Sequence, residues 1–282
     1  MKIIECPRDA MQGIVEFIDT DQKAAYINQL LKVGFDTIDF GSFVSPKAIP
    51  QMRDTAEVLA QLDLSTTKSK LLAIIANVRG ATDAAQFEEI DYLGFPFSIS
   101  ETFQLRNTNK TIAQALEELA KIQEVAEQKN KAVVAYISMG FGNPYNDVYN
   151  VDLIEKYTEK LAELGVRIIS VSDTIGNAKP QQIEDIFPAL MRAFPEVEFG
   201  AHLHSTPDTA MVKIEAMIKA NVQRIDSAMR GFGGCPMAKD DLTGNLATEQ
   251  LIAVLEANKI ELGLDKSEFK KSLTMAGEVF PN

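Results

Sequence analysis

Short apolar runs and longer stretches with helical spacing alternate eight times along this chain of 282 residues, and that alternation limits the fold more than any other feature. Helices cover both faces of a parallel sheet, so short continuous apolar runs are typical of its strands. The runs predict strands at 2–5, 37–40, 71–75, 92–97, 132–137, 168–171, 197–203 and 224–227. The stretches between them predict helices at about 21–33, 49–62, 82–88, 111–128, 151–164, 181–193, 206–220 and 248–258.

Eight strand–helix units in one domain favour an α/β protein of the TIM (β/α)8 barrel type over an open doubly wound sheet. Such barrels need roughly 250 residues, and the apolar fraction of 46% is enough to fill the core. No G-x-G-x-x-G motif follows the first strand, which weakens a dinucleotide-binding interpretation. We predict one catalytic domain over residues 1–282, with an extra helix in the tail at about 263–282.

Charge and hydropathy restrict where the protein acts and what it binds. The net charge of −12 disfavours nucleic acid, and any anionic ligand would need local Lys and Arg side chains. No apolar run reaches the roughly 18 residues of a membrane span, and the N-terminus lacks the features of a signal peptide. We therefore expect a cytoplasmic protein that binds neither nucleic acid nor membranes. Two cysteines, Cys6 and Cys235, are too few for a disulfide framework.

The C-terminal ends of the strands carry the active site in this fold, and the sharpest signal there is a pair of histidines. His202 and His204 are the only histidines in the chain, and both fall at the end of predicted strand 7. Side chains alternate across a strand, so both imidazoles face the barrel interior. Two neutral imidazoles on one face make half of a metal site, the alternative being ordinary polar residues at a strand end.

Two oxygen donors complete a candidate metal site. Asp9 follows strand 1 and Asn245 lies in the loop after strand 8, and barrel closure makes strand 8 a neighbour of both strand 1 and strand 7. A mixed nitrogen and oxygen set with open positions suits Mg²⁺, Mn²⁺ or Zn²⁺. We predict that Asp9, His202, His204 and Asn245 bind a divalent metal, and that Mg²⁺ or Mn²⁺ fits this donor set.

Other reactive side chains stand near the same strand ends. Cys235 lies in a glycine-rich loop, where a thiol suits proton transfer, although an incidental loop cysteine is the alternative. Cys6 lies in strand 1 and is predicted to be a buried small hydrophobe. Arg8 is placed either to stabilise an oxyanion or to pair with Asp39. Asp39 and Asp173, at the ends of strands 2 and 6, are candidate bases, orienting groups or caps.

Four segments of the sequence resemble the hydroxymethylglutaryl-CoA lyases, members of the DRE-TIM metallolyase group. They are PRDAMQ at 7–12, SFVSPK at 42–47 followed by PQM at 50–52, DTIG at 173–176, and GFGGCP at 231–236 with GNLATE at 244–249. The resemblance runs from about residue 3 to residue 257 without large gaps, and the GGCP loop is its most specific part.

The resemblance implies cleavage of 3-hydroxy-3-methylglutaryl-CoA to acetoacetate and acetyl-CoA, with a homodimer as the assembly. It implies the same four metal ligands that the residue pattern suggests. It also implies that Arg8 stabilises the enolate of the departing thioester, that Asp173 and His202 assist removal of the hydroxyl proton, and that Cys235 protonates the enolate.

Positions that resemble loops of the family near CoA give candidate substrate contacts. These are Lys47, Arg79, Asn107 and Asn109, to which Gln12 is added because it follows Asp9 closely. The alternative for the loop residues is that their side chains are exposed to solvent and make no contact with the substrate.

Three departures from the family bear on the substrate. The chain has Asp39 where the family usually has Glu, Ala10 where the family has the Gly of PRDG, and STPD at 205–208 where the family has Asp-Thr-Tyr-Gly. The changes at Asp39 and 205–208 touch the pocket rim, so they bear on the acyl group more than on the metal chemistry. They keep open a second hypothesis, another DRE-TIM aldolase or carboligase acting on a 2-oxo acid or a different acyl-CoA. A third hypothesis is a metal-binding barrel without catalytic activity.

Overall fold

The computed structural model describes residues 1–234 and 243–280. In these residues eight parallel strands each pair with the next, and the first pairs with the eighth, so the sheet closes into a barrel. The strands are β1 (Lys2–Glu5), β2 (Thr37–Ser42), β3 (Lys70–Ile74), β4 (Ile90–Ser98), β5 (Ala132–Ser138), β6 (Ile168–Asp173), β7 (Glu198–Ser205) and β8 (Arg224–Ser227). The predicted TIM barrel is confirmed, with each strand within two residues of its predicted start and end.

Helices surround the barrel and connect its strands. They are α1 (Pro7–Gln12), α2 (Thr20–Leu31), α3 (Thr55–Leu59), α4 (Val78–Ala84), α5 (Glu101–Thr108), α6 (Ile112–Gln128), α7 (Val151–Glu163), α8 (Pro180–Ala193), α9 (Pro207–Lys219), α10 (Thr248–Ala257) and α11 (Lys266–Val279). Two 3₁₀ turns lie at Pro50–Met52 and Met229–Gly231. A two-residue strand, β9 (Gly244–Asn245), pairs antiparallel with the end of β7.

Strand alternation sends apolar side chains into the layer between barrel and helices and a mixed set into the barrel itself. On β8, Arg224 and Asp226 face the interior, whereas Ile225 packs in the main apolar core. The interior holds a small apolar cluster that includes Leu72 and Val134. The polar residues above this cluster therefore meet at one end of the barrel, where the C-terminal ends of the strands lie.

Two predicted helices are wrong in their bounds. The predicted helix at 49–62 is divided into the 3₁₀ turn Pro50–Met52 and α3, because the backbone of Asp54 between them is not helical, with a φ of −105° and a ψ of 21°. The predicted helix at 82–88 is α4, which begins four residues earlier because the Asn77 side chain accepts a hydrogen bond from Gly80 N.

Two helices were not predicted. The helix α1 begins with Pro7 and spans 6 residues, too few for an apolar period to be visible. The helix α5 has a low apolar content, and its start is fixed locally because Ser100 accepts a hydrogen bond from Phe103 N. The first of these matters most, because α1 carries Arg8 and Asp9 at the end of β1.

The helix α11 lies in the tail that was predicted to form an extra helix, and it packs on α2. Gln29 of α2 donates to the Glu268 carboxylate over 2.8 Å, and the Tyr26 ring meets the edge of Phe280 with centroids 5.5 Å apart. Across residues 1–234 and 243–280, no helix has both the length and the apolar composition that a bilayer crossing requires.

Candidate active site

A cavity of about 360 Å³ opens at the C-terminal ends of the strands, the end where barrel enzymes bind their substrates. One wall carries charged and polar side chains from α1 and β7, including Arg8, Asp9 and His202. The opposite wall is apolar and includes Ile74 and Pro96. The cavity therefore offers both an ionic and an apolar side to a small organic ligand.

Three potential metal ligands converge on the polar wall. One donor atom each from Asp9, His202 and His204 lies within 4.8 Å of the other two. The two imidazoles have ring centroids 5.4 Å apart, as expected for positions i and i+2 on the same face of β7. The predicted convergence of these three side chains is therefore present in the fold.

In the ring of His204, one nitrogen is hydrogen-bonded and the other has no hydrogen-bond partner in the described residues. Its Nδ1 lies 2.9 Å from the carbonyl oxygen of Thr174, which only accepts, so Nδ1 carries the proton. Its Nε2 then has a lone pair and is buried, with no hydrogen-bond partner in the described part of the chain. Burial and the neighbouring His202 lower the pKa of His204 to about 4, which keeps the ring neutral. A buried neutral imidazole with an unused lone pair fits a metal ligand.

The Asp9 carboxylate is held in its ionised form. Its Oδ1 accepts hydrogen bonds from Arg8 Nη1 at 2.9 Å and Gln12 Nε2 at 2.7 Å, and its Oδ2 accepts one from Asn245 Nδ2 at 2.6 Å. Burial would raise the pKa of Asp9, but the charge of Arg8 and the nearby histidines lower it to about 2. A buried anion beside two imidazoles is suited to a divalent cation.

Asn245 reaches the site through β9. Its Nδ2 donates both to Asp9 and to the carbonyl of Phe232, at 2.8 Å for the second bond. These two acceptors fix the amide so that Oδ1 is the atom left to contact a metal. The backbone beside it comes close, since a Cβ added to Gly233 would lie 2.5 Å from Asp9 O and 2.8 Å from Asn245 Nδ2. Glycine is therefore required where this loop passes the site.

Arg8 is fixed by Asp39 across the gap between α1 and β2. Arg8 Nε lies 3.2 and 3.1 Å from the two Asp39 oxygens, and Nη2 lies 2.5 Å from Oδ2. Burial raises the pKa of Asp39 to about 6, an effect that the Arg8 charge partly opposes. The guanidinium pairs with Asp39 and also lines the cavity, so the pairing is present and a role in stabilising an oxyanion stays a prediction.

Asp173 is not among the residues that line the cavity, and a role as a base stays a prediction. It is one residue out of phase with the inward-facing Ser172 on β6, so its carboxylate lies behind the barrel wall. There it accepts hydrogen bonds from Lys213 Nζ at 2.7 Å, from Asn177 N at 2.7 Å and from Ala178 N at 2.9 Å. The structure therefore gives Asp173 a supporting place under the loop that follows β6.

The model of the family described as HMGL-like matches residues 2–275. The chain belongs to the HMGL-like family. Hydroxymethylglutaryl-CoA lyase YngG of Bacillus subtilis is 33% identical over 255 residues, which cover 90% of this chain and 84% of that relative.

Solved structures of HMGL-like relatives agree with the fold over the whole chain. The HMG-CoA lyase of Brucella melitensis matches with a TM-score of 0.92 at 29% identity, covering 100% of this chain and 99% of its own. An HMG-CoA lyase of Acinetobacter baumannii, described in complex with coenzyme A and 3-methylmalate, matches with a TM-score of 0.91 at 29% identity, covering 99% of this chain and 91% of that one.

Two of the five predicted substrate contacts reach the cavity. Gln12 and Asn107 line it. Lys47 is exposed on the loop after β2, and Asn109 is exposed at the end of α5. Arg79 is exposed and borders a separate depression of about 400 Å³. The last three therefore lie on the surface outside the cavity itself.

Other residues near the cavity were not predicted. Asp226, on β8, is hydrogen-bonded to Nδ1 of His202, and the carbonyl of Thr174 accepts a hydrogen bond from Nδ1 of His204. Ser172 places a buried hydroxyl in the cavity wall, with no hydrogen-bond partner in residues 1–234 and 243–280. The inward phase of Asp226, two residues after Arg224 and beside β7, was a signal that could have revealed it. Cys6 is buried, as predicted. Cys235, the predicted proton donor, lies outside the described residues.

Proposed function

We propose that this protein is a divalent-metal-dependent lyase that cleaves 3-hydroxy-3-methylglutaryl-CoA, or a close acyl-CoA analogue, to acetyl-CoA and acetoacetate. The observation that carries the proposal is the cluster of Asp9, His202 and His204, with the unpartnered Nε2 of His204, at the mouth of a cavity lined by Arg8. The membership of the HMGL-like family and the names of its relatives support the choice of substrate.

The metal is proposed to be Mg²⁺ or Mn²⁺, held by Asp9, His202, His204 and Asn245. When bound, a divalent cation lowers the pKa of a hydroxyl that contacts it, which favours loss of the proton from the C3 hydroxyl. His202 has a single nitrogen on the cavity side, since its Nδ1 is bonded to Asp226. We assign that nitrogen to the metal. We propose Asp173 as an orienting group, because Lys213 and two backbone amides occupy its carboxylate.

Arg8 is proposed to stabilise the enolate that forms when the C2–C3 bond breaks. Its Nε, Nη1 and one Nη2 hydrogen are engaged by Asp39, Asp9 and Gln12, which leaves the second Nη2 hydrogen without an acceptor in residues 1–234 and 243–280. Four fixed hydrogen bonds remove the freedom of the side chain, so its charge is already in place when the enolate develops. Asp39 is thus an orienting residue for Arg8.

The coenzyme A part of the substrate is proposed to leave the cavity toward the loops after β2 and β3. Three exposed cations stand there, Lys47, Arg53 and Arg79, on a protein whose net charge is −12. An anionic phosphate chain requires local cations on an acidic protein, although Glu57 and Asp83 border the same depression as Arg53 and Arg79. Gln12 and Asn107, which line the cavity, are proposed to contact the acyl part.

Cys235 is proposed to protonate the enolate, as the resemblance implies. The tested change is Cys235→Ser, which replaces the thiol with a hydroxyl of much higher pKa. We expect metal binding to be retained and turnover to fall by at least about a hundredfold. Full activity in Cys235→Ser would show that another group supplies the proton.

The decisive experiment incubates the purified protein with 3-hydroxy-3-methylglutaryl-CoA and Mn²⁺ or Mg²⁺, and measures acetyl-CoA and acetoacetate. We expect both products in equal amounts, none after chelation, and none from His204→Ala, which loses a metal ligand. Product formation that continues in the chelator would contradict the metal-dependent mechanism.

A substrate panel separates this proposal from the alternatives. Cleavage of a 2-oxo acid or another acyl-CoA, but not of 3-hydroxy-3-methylglutaryl-CoA, would favour a different DRE-TIM aldolase or carboligase. Metal binding without turnover of any of them would favour a non-catalytic barrel. A homodimer, a cytoplasmic location and the absence of nucleic acid and membrane partners stay predictions.

A further inference from the structure

The Nδ1 atom of His202 is bonded to a carboxylate, whereas the Nδ1 atom of His204 is bonded to a backbone carbonyl. His202 Nδ1 lies 3.1 Å from Asp226 Oδ2, and His204 Nδ1 lies 2.9 Å from Thr174 O. Asp226 stands opposite His202 in the register of β7 and β8 and is only 3% exposed. It does not line the cavity. Any influence of Asp226 on a ligand therefore passes through the imidazole of His202.

A buried arginine stands beneath Asp226 in the barrel. Arg224, two residues earlier on β8, is 1% exposed, and its guanidinium lies 5.4 Å from the centre of the Tyr92 ring. Although burial opposes it, the charge of Asp226 raises the pKa of Arg224, so the two are electrostatically coupled. A buried carboxylate is costly unless a cation or donors compensate it. Arg224 below and His202 above supply that compensation.

The distances alone would also allow an ion among Cys6, His202 and Asp226, whose donor atoms lie within 4.8 Å of one another. Two observations favour an internal hydrogen-bonded arrangement instead. Burial and nearby carboxylates raise the pKa of the Cys6 thiol, so the thiolate that metals bind is disfavoured. The buried Arg224 cation would also repel a second positive ion. Asp226 therefore acts as a hydrogen-bond partner of His202 and not as a metal ligand.

We propose that Asp226 is a positioning residue that fixes His202 with its proton on Nδ1, aims Nε2 into the cavity and strengthens it as a metal ligand. A carboxylate partner makes the imidazole a stronger donor than a carbonyl partner does. The two histidines are therefore unequal ligands, and His202 is the stronger one. The ligand-strength part of this inference rests on the proposed metal-dependent function, whereas the tautomer part does not.

The first test reads the tautomer in the metal-free protein, using ¹⁵N chemical shifts of the histidine rings above the pKa of both. The chain has two histidines, so His204→Ala assigns the signals. We expect the Nδ1–H form of His202 in the wild type and in Asp226→Asn, whose amide oxygen still accepts the hydrogen bond. We expect a mixture of tautomers in Asp226→Ala. The same Nδ1–H form in Asp226→Ala would overturn the proposal.

The second test titrates Mn²⁺ into the same proteins and compares dissociation constants. Loss of the carboxylate behind a histidine ligand weakens metal binding by roughly 10- to 100-fold, and we expect that loss in Asp226→Asn and Asp226→Ala and a partial recovery in Asp226→Glu. Asp54→Asn, which removes a buried carboxylate paired with Lys23 elsewhere in the fold, is the matched control and should bind Mn²⁺ like the wild type.

The variants also decide the outcome if one of them does not fold. Should Asp226→Ala fail to fold, Asp226→Asn decides alone: weakened Mn²⁺ binding with the tautomer retained supports the proposal, and unchanged Mn²⁺ binding overturns it. A wild type that binds no Mn²⁺ would instead refute the proposed metal-dependent function and the ligand-strength part with it. The tautomer would then still test the positioning role of Asp226.

Discussion

At the scale of single residues, strand alternation decides which polar side chains reach the cavity. His202 and Ser172 face each other in the register of β6 and β7, and both line the cavity. Asp173, one residue further, lies behind the wall and holds Lys213. The sequence places all three at the ends of strands, but only the phase of β6 separates a group that lines the cavity from one that supports the loop.

A single methyl group at residue 233 is predicted to disrupt the metal site. Gly233 has a φ of +84°, and its added Cβ would meet Asp9 O and Asn245 Nδ2 at less than 3 Å. Because both neighbours are held by hydrogen bonds, Gly233→Ala should displace them. We expect Mn²⁺ affinity and turnover to fall at least about tenfold, measured by titration and product assay.

The control for Gly233→Ala separates steric contact from backbone strain. Gly142 also has a positive φ, +118°, but an added Cβ there would have no neighbour within 4 Å. Gly142→Ala should therefore lose stability on the order of 1 kcal/mol from strain alone and keep its Mn²⁺ affinity. Equal effects of the two changes on Mn²⁺ binding would show that crowding at the site is not the cause.

At the scale of helices and strands, the sequence predicts the barrel well because apolar periodicity reports burial directly. It predicts short or interrupted helices poorly, because α1 and α3 have 6 and 5 residues and depend on tertiary contacts. The candidate ligands Asp9, His202 and His204 are predictable from strand ends. The pairing of Arg8 with Asp39 was one of two alternatives. Asp226, the hydrogen-bond partner of His202, can be identified only when the register between β7 and β8 is known.

The buried Lys213 is predicted to hold three elements together. From α9, its Nζ donates to Asp173 of β6, to the Gly176 carbonyl after β6 and to the His204 carbonyl of β7, at 2.7, 3.0 and 2.7 Å. Lys213→Met keeps the volume but leaves Asp173 as a buried unpaired carboxylate. We expect the free energy of unfolding in urea to fall by about 3–5 kcal/mol.

An exposed lysine on the same helix provides the comparison. Lys219 pairs with Glu184 at 3.2 Å, and its side chain is 66% exposed. Because exposed ion pairs contribute little, Lys219→Met should change the free energy of unfolding by less than about 1 kcal/mol. Similar losses in both variants would mean that burial of the Lys213 pair is not what stabilises α9 against the barrel.

Glu5 is predicted to make stability depend on pH at the join between β1 and β8. It is fully buried, its carboxylate accepts from Met229 N and Thr248 Oγ1, and burial raises its pKa from 4.5 to about 8. The folded protein thus keeps a proton that the unfolded chain releases, so stability is highest below about pH 4.5 for this group and falls as the pH rises toward 8.

The variant Glu5→Gln should remove that fall, because an amide cannot ionise. We expect it to be more stable than the wild type at about pH 8.5, by a few kcal/mol, and to show a smaller difference at about pH 5. The measurement is urea unfolding at both values. The exposed Glu163→Gln should leave the pH profile unchanged. A wild-type profile that is flat across this range would refute the role of Glu5.

At the scale of the whole molecule, the donors from α1, β7 and β9 would link the proposed metal site to the stability of the complete barrel. A cation that binds the folded state and not the unfolded chain adds about 2.7 kcal/mol at a hundred times its dissociation constant. We therefore expect Mn²⁺ to raise the melting temperature by several degrees in calorimetry. His204→Ala should show no such rise, and an equal rise in that variant would place the bound ion elsewhere.

The hydrogen bond between Asn245 and Asp9 joins residues that are 236 positions apart. A ribosome therefore finishes Asp9 and its helix long before it makes the partner that completes the cluster. Throughout that interval no partly made barrel has all four proposed donors, so we expect it to bind a metal ion only weakly. Tight metal binding would then be a property of a polypeptide whose last strands have been made.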